Sequence, residues 1–142
     1  MDKFKEVFFY IKSVHNEMEK RRNITLSKHG VTGTQSDILE YLLENTDKEI
    51  YQRHLEKLFN QSNPSMTGIL NRLEKNGFII RKTSIKDSRY KQIILTEKTY
   101  ELVLELKKDL LTFNNNYNKM LSEREKDDLI NLLKKIYLNI NK

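Results

Sequence analysis

The chain has 142 residues, of which 32% are charged and 37% are hydrophobic, and its formal net charge at pH 7 is +6. This length suits one compact domain and leaves little room for a second complete one. Since it has no cysteine, no run of about 18 apolar residues and no apolar leader, we exclude disulfide and thiolate chemistry and expect a soluble, cytoplasmic protein.

The first predicted helix lies near the N-terminus. Apolar residues from Phe4 to Met18 recur every three or four positions, which is typical of a helix with one apolar face. We expect this helix to end before the polar run at residues 19–23. A Thr-x-x-Gln capping box, Thr32 to Gln35, then predicts the start of a second helix. Its buried face carries Ile38, Leu39, Leu42 and Leu43.

Two short helices separated by a turn come next. The third helix spans about residues 52–59, and residues 60–62 break it. We expect Leu55, Leu58 and Phe59 to face inward. Ser62 is suited to cap the fourth helix, Pro64 falls in its first turn, and Gly77 ends it. The inner face of the fourth helix carries Met66, Ile69, Leu70 and Leu73. Together these patterns predict a helix-turn-helix.

A change of period after Gly77 predicts a β-hairpin. The β-branched segments 78–83 and 92–96 have similar lengths and flank an eight-residue loop. Thr96 is a candidate N-cap for a long helix that residues 114–116 interrupt, and Ser122 caps a last helix with a continuous apolar face. We therefore predict a mainly α protein with a small β-hairpin wing, in which a winged helix-turn-helix is flanked by N- and C-terminal helices.

The excess positive charge lies in one third of the chain. Residues 50–95 contain nine basic and three acidic residues, whereas the remaining chain contains 17 of each. A basic footprint of this kind is expected where a segment meets a polyanion such as DNA. The alternative is chance clustering in a lysine-rich chain.

The fourth helix carries the candidate base contacts. The major groove accepts one α-helix, whose exposed N-terminal side chains reach base edges. The candidate recognition-helix residues are Asn63, Pro64, Ser65, Thr67, Gly68, Asn71, Arg72 and Lys75. The small polar residues at the start of the helix are suited to contact bases, and the basic residues near its end are suited to contact phosphates. The competing interpretation of Ser65 and Thr67 is that they are ordinary polar residues at the start of a helix. Further candidates for phosphate contacts are Arg53, Lys57 and Arg81.

Three ordered motifs resemble the MarR (multiple antibiotic resistance regulator) family. They are RLEKNGFIIR at residues 72–81, Asp87-x-Arg89 in the loop, and ILTEK at residues 94–98. The resemblance spans essentially the whole chain, residues 1–142, as a single domain. It assigns residues 32–96 to the winged-helix DNA-binding lobe, and residues 3–20 and 97–140 to dimerisation helices.

The resemblance implies an obligate homodimer that binds pseudo-palindromic duplex DNA. Family members are mostly repressors released by small ligands or by oxidation, and without cysteine the thiol route is closed here. The implied wing contacts are Lys86, Asp87, Ser88, Arg89 and Lys91. Arg89 would enter the minor groove and Asp87 would brace the loop, whereas the competing interpretation of Arg89 is a solvated hairpin charge. Gly68 occupies a position at which many relatives have a larger polar or basic side chain, and Tyr90 has no assigned role.

Other functions find less support in the sequence. His15, with Phe8 and Ile11, is either part of a ligand cavity between the dimer helices and the DNA-binding lobe or a packed or boundary histidine. The histidines lack partners at metal-ligand spacing, and no phosphate-binding loop or nucleophile motif is present. We therefore expect no metal, no cofactor and no enzymatic activity. The alternative function is a winged-helix protein-interaction module without specific DNA binding.

Overall fold

The computed structural model describes residues 2–142, which form six α-helices and a two-stranded antiparallel sheet. The helices are α1 (Lys3–Leu26), α2 (Gly33–Glu44), α3 (Gln52–Leu58), α4 (Asn63–Lys75), α5 (Thr99–Tyr117) and α6 (Glu123–Ile140). The strands are β1 (Ile79–Thr83) and β2 (Lys91–Leu95), and a turn of 3-10 helix, Ser27–His29, follows α1. The predicted mainly α, winged helix-turn-helix class is confirmed. Within these residues, no helix is both long and apolar enough to cross a membrane.

The chain divides into two compact units, the first ending at Leu110 and the second spanning Leu111–Lys142. The first unit holds the helix-turn-helix, the hairpin and one apolar core. The fully or almost fully buried side chains of this core are Leu26, Ile38, Leu39, Leu55, Met66, Leu70, Leu73, Ile79 and Leu106. In the second unit, Phe113 packs on Tyr117 with ring centroids 5.0 Å apart, and Ser122 forms a capping box with Glu125 at the start of α6.

The start of α2 and both ends of α4 follow the local sequence signals. Thr32 and Gln35 form the predicted capping box of α2. The Ser62 hydroxyl accepts a hydrogen bond from the backbone N–H of Ser65 at 3.2 Å, so that Ser62 caps α4 as predicted. Gly77 follows α4 with φ of 78°, a left-handed conformation that side chains disfavour. Capping by Ser62 thus fixes the start of α4 at the break, and Gly77 fixes its end.

The hairpin is joined to the segment before α3. In the sheet, Ile79 pairs with Leu95 and Thr83 pairs with Lys91. The backbone N–H of Ile93 donates to the carbonyl of Ile50 at 2.8 Å, and Tyr51 forms a single antiparallel bridge with Gln92. Residues 50–51 therefore lie along the free edge of β2, and they tie the wing to the helix-turn-helix.

The first helix is longer than the sequence predicted. It continues through the polar run 19–23 to Leu26, which is fully buried. The Arg22 guanidinium contacts Glu19 at 2.9 Å and Asp37 of α2 at 3.0 Å. The Asn23 side chain accepts the backbone N–H of Gly33. The prediction that α1 ends before this run was wrong, because Arg22 pairs with Asp37 of α2 while Arg21 pairs with Glu17 within α1.

Three local expectations were also wrong. Leu58 is 54% exposed because α3 ends there and the chain turns through Asn60, so this last turn extends past the core. Residues 114–116 do not interrupt α5; exposed asparagines lower helix propensity by less than about 0.7 kcal/mol each. The Thr96 hydroxyl donates to the Gly77 carbonyl at 2.7 Å instead of capping a helix, and α5 begins at Thr99.

Candidate nucleic-acid interface

A groove of about 790 Å³ lies between α3, α4 and the hairpin. Predicted site residues from all three regions line it, namely Arg53, Asn63, Arg81, Arg89 and Lys91. The acids on its lining are Glu56 and Glu74. The fold thus gathers side chains that are as much as 38 positions apart in the sequence, from Arg53 to Lys91, onto one concave and mainly basic surface.

Most of the predicted recognition-helix side chains are exposed. This holds for Asn63, Pro64, Ser65, Asn71, Arg72 and Lys75, while Thr67 and Gly68 are half-buried. The opposite face of α4 buries Met66, Leu70 and Leu73 in the core. The apolar period therefore fixes which face of α4 is available to a ligand.

Several of these polar side chains are held by neighbours within the lobe. The Asn63 side-chain amide donates to Glu56 at 2.9 Å, and the Ser65 hydroxyl donates to Gln61 at 2.7 Å. The Gln52 amide at the start of α3 donates to the Thr67 hydroxyl at 2.8 Å. The polar face of α4 is therefore ordered before any ligand arrives.

Arg81 lies against α4 instead of projecting into solvent. Its guanidinium donates to Glu74 at 2.9 Å and to the side-chain oxygen of Asn71 at 2.7 Å. Its hydrogen bonds hold the pKa of the Glu74 carboxyl below its ordinary value. Arg81 therefore joins the first strand of the hairpin to the recognition helix through a charged pair.

Asp87 and Arg89 form a local ion pair in the wing loop. The Asp87 carboxylate accepts the backbone N–H of Arg89 at 3.1 Å and its guanidinium Nη2–H at 2.7 Å. This hydrogen bonding lowers the pKa of Asp87 and raises that of Arg89. The Arg89 side chain is nevertheless 79% exposed. Asp87 thus restrains the loop through these hydrogen bonds, while the Arg89 side chain remains accessible to solvent.

Glu49 anchors the base of the wing, and its role was missed in the sequence. The carboxylate accepts hydrogen bonds from the Tyr51 hydroxyl at 2.5 Å, the Ser84 hydroxyl at 2.7 Å and the Ile85 backbone N–H at 3.3 Å. The first two bonds lower the pKa of Glu49, and the bond from Tyr51 to Glu49 raises the pKa of the tyrosine. No short motif marks this cluster because Glu49 and Ser84 are 35 residues apart.

Aromatic rings continue this anchor on both sides of Tyr51. The Tyr51 ring stacks on His54 of α3 with centroids 5.2 Å apart, and on Tyr90 of the wing with centroids 5.3 Å apart. The Arg89 guanidinium carbon lies 5.7 Å from the centre of the Tyr90 ring. Tyr90, which had no predicted role, connects the wing to the helix-turn-helix.

The remaining predicted residues lie away from this groove. Lys57 lines a separate shallow pocket with Tyr41 and Leu58. Phe8, Ile11 and His15 are exposed on α1, and the ligand cavity assigned to them stays a prediction. In the part of the chain that the structure describes, no three His, Asp or Glu side chains are grouped as metal ligands.

Comparison with known proteins gives consistent matches in sequence. A MarR family model matches residues 29–89. The HTH-type transcriptional regulator SarZ of Staphylococcus aureus is 32% identical over 126 residues, which are 89% of this chain and 81% of that protein. The HTH-type transcriptional regulator MhqR of Bacillus subtilis is 27% identical over 138 residues, which are 97% of this chain and 94% of that protein.

Solved structures match over similar lengths. The transcription regulator MarR from Oenococcus oeni superposes with a TM-score of 0.77 at 32% identity, covering 96% of this chain and 99% of that one. MepR of S. aureus, in a complex with DNA, superposes with a TM-score of 0.84 over 93% of this chain and 96% of that one. Its identity is 23%, so this second likeness concerns the fold alone.

Proposed function

The chain belongs to the MarR family of transcriptional regulators, and we propose that it acts as a homodimeric repressor that binds a pseudo-palindromic operator in duplex DNA. One observation carries the proposal: the start of α4, at Asn63, and the accessible Arg89 of the wing border the same basic groove. A helix and a wing placed in this way suit two neighbouring grooves of one duplex. The named relatives are transcriptional regulators, and we propose that this protein is likewise a regulator and not an enzyme, and that it acts in the cytoplasm.

In this proposal, α4 enters the major groove. Its early side chains Asn63, Ser65 and Thr67 face the bases, and Arg72 and Lys75 reach the phosphates. The wing crosses the backbone so that Arg89 enters the flanking minor groove. Asp87 limits the freedom of the loop that carries Arg89. The remaining basic residues of the wing and of α3 contact phosphates on either side.

We assign dimerisation to the helices outside the lobe. Apolar side chains on α1 are exposed, including Phe4 at 59% and Phe8 at 61%. On α6, Leu129, Leu133 and Tyr137 are also exposed along one apolar face. An exposed apolar helix face of this kind favours a protein partner, and we propose that a second copy of the chain covers each of these two faces. A small-molecule effector bound near Phe8, Ile11 and His15 would act on this dimer.

The test is selection of bound fragments from the genome that encodes the chain, followed by footprinting of the enriched fragments. We expect protection of two half-sites whose centres lie about 10–10.5 base pairs, or a multiple of that, apart. A folded protein that enriches no fragment would overturn the proposal and favour the protein-interaction module. Equal binding of all fragments, without a protected site, would contradict sequence-specific recognition.

A further inference from the structure

The wing loop is restrained through its own backbone N–H groups. Five of these groups donate to acceptors within the lobe, namely those of Ile85, Lys86, Asp87, Arg89 and Tyr90. A loop that is already ordered in the free protein loses less conformational entropy when it binds a ligand. These hydrogen bonds therefore lower the cost of presenting the wing to DNA.

Ser84 lies at the centre of these contacts. Its side-chain oxygen accepts the backbone N–H groups of Lys86 at 3.0 Å and of Asp87 at 3.1 Å. These two bonds use both lone pairs of the hydroxyl, which leaves its O–H as a donor. The Glu49 carboxylate accepts this O–H at 2.7 Å. Because Ser84 is only 5% exposed, bulk water cannot readily replace Glu49 as the acceptor.

Glu49 contacts both ends of the wing loop. At the start of the loop, its carboxylate accepts the Ser84 hydroxyl and, at 3.3 Å, the Ile85 backbone N–H. At the end of the loop it acts through Tyr51, whose hydroxyl donates to Glu49 and whose ring stacks on Tyr90. One carboxylate from the segment before α3 thus holds both ends of the loop in place.

We propose that Glu49 and Ser84 are positioning residues that preorganise the wing for DNA, so that this acid strengthens the binding of a polyanion. The role rests on the proposed function, and it adds two residues outside the set that contacts DNA. Glu49 acts on Arg89 through the backbone of the loop and through Tyr90, which directly follows Arg89 in the sequence.

The charge of Glu49 has the opposite effect on affinity. An acid beside a DNA-binding surface repels phosphates, so the loss of its charge alone should tighten DNA binding. The loss of its hydrogen bonds should weaken DNA binding, because the loop must then become ordered during association. The direction of the change in affinity therefore separates positioning from charge.

The experiment compares full-length wild type, Glu49→Met and Ser84→Ala in binding a labelled duplex of the footprinted fragment, followed by fluorescence anisotropy. Glu49→Met keeps the length of the side chain without its charge or its acceptors, and Ser84→Ala changes no charge. Both variants should bind about threefold to tenfold more weakly than wild type. Asp47→Asn is the matched control, because it removes an exposed acid two residues from Glu49; it should bind as tightly as wild type or slightly more tightly.

A double-mutant cycle with Arg89→Ala tests whether the effect passes through that side chain. Within Arg89→Ala, adding Glu49→Met or Ser84→Ala should change the affinity by less than about twofold, because the side chain that they position is missing. Undiminished losses in this background would overturn the role of the two residues in positioning Arg89.

Amide hydrogen exchange without DNA measures the ordering of the loop directly. The Lys86 and Asp87 amides should exchange more slowly in wild type than in Ser84→Ala, which lacks their common acceptor. Circular-dichroism melts establish that each variant is folded at the assay temperature. A role in stability alone would lower the melting temperature and leave the affinity of the folded protein unchanged.

The outcomes distinguish this role from the function on which it rests. A wild-type protein that binds no fragment overturns the proposed function together with the positioning role. If wild type binds its fragment, equal or tighter binding by folded Glu49→Met overturns the positioning role alone. Equal binding by folded Ser84→Ala has the same meaning, and it decides the question if Glu49→Met does not fold.

Discussion

The Tyr90 ring of the wing stacks on the Tyr51 ring, with centroids 5.3 Å apart and ring planes inclined by 28°. The Tyr51 ring stacks in turn on His54 of α3, and its hydroxyl donates a hydrogen bond to the Glu49 carboxylate. A surface loop is therefore held to the helix-turn-helix by aromatic contacts and a carboxylate. Arg89 directly precedes Tyr90 in the sequence, so its position depends on these contacts of Tyr90 and Tyr51.

Replacing Tyr90 by alanine should weaken both folding and DNA binding. An aromatic pair contributes about 0.5–1.5 kcal/mol beyond its buried area, and the unfolding free energy should fall by at least this amount because the buried area of the ring is lost as well. DNA affinity should fall as well, because the wing loses its support against α3. Urea denaturation and fluorescence anisotropy measure the two effects. Tyr90→Phe preserves the ring and should match wild type in both; equal losses in the two variants would contradict the stacking role.

The Glu49 carboxyl should titrate below its ordinary range. The Tyr51 hydroxyl is the largest cause of its lowered pKa, followed by the Ser84 hydroxyl. In Tyr51→Phe the NMR titration midpoint of the Glu49 carboxyl carbon should therefore rise toward the ordinary value of a glutamate. Tyr90→Phe, which leaves the Tyr51 hydroxyl in place, should not move it. An unchanged midpoint in Tyr51→Phe would refute the hydrogen bond.

The same pKa predicts the sign of the pH dependence of stability. A carboxyl whose folded pKa lies below its unfolded pKa binds fewer protons when folded, so it stabilises the fold above the unfolded value of about 4.3. This contribution disappears as the pH falls through the folded pKa. The unfolding free energy of wild type should therefore decrease more steeply in this acid range than that of Glu49→Gln. Parallel curves for the two proteins would contradict the prediction.

Gly68→Ala should stabilise the recognition helix by about 0.5–1 kcal/mol, because alanine has the higher helix propensity. A Cβ at Gly68 would meet only the Arg72 guanidinium at 3.6 Å, an ordinary contact distance. Gly33→Ala is the matched comparison, since its Cβ would lie 2.6 Å from Cζ of Arg22, which is held by Asp37. Thermal melts should show opposite signs. Destabilisation by Gly68→Ala would mean that α4 packs differently.

Leu133→Glu should weaken the dimer. Leu133 is 40% exposed on the apolar face of α6. Full burial of a leucine side chain at an interface would contribute about 1.5–3 kcal/mol to the free energy of association. The dimer dissociation constant should therefore rise by about tenfold or more. Asn131→Glu introduces the same charge on the opposite, polar side of α6 and should leave the constant unchanged. Analytical ultracentrifugation measures both; an undisturbed Leu133→Glu dimer would exclude this face of α6 from the interface.

The elements that could be predicted from the sequence are those with local causes. Apolar periodicity and capping residues such as Thr32, Ser62 and Ser122 act within a few positions, so they indicated the helices correctly. The hairpin followed from two β-branched segments of similar length. The end of α1 was misplaced because its cause, the pairing of Arg22 with Asp37, joins residues 15 positions apart.

The candidate site was predictable in outline only. Exposure of the polar face of α4 and of the wing follows from the period of the core residues. The contacts that orient these side chains cannot be predicted from that period, since Gln52 and Thr67 are 15 residues apart and Glu49 and Ser84 are 35 residues apart. Residue type alone also suggested Arg81 as a phosphate contact, whereas the fold pairs its charge with Glu74.

Salt-dependent binding of a labelled duplex, followed by fluorescence anisotropy, tests the central claim most directly. If about four to six phosphates are neutralised per subunit, the logarithm of the affinity should fall linearly with the logarithm of the salt concentration, with a slope of about −0.9 per contact. Arg89→Ala should bind more weakly than wild type at moderate salt. Binding that is absent or insensitive to salt would contradict a DNA-binding regulator, and equal affinities of wild type and Arg89→Ala would contradict the role of the wing.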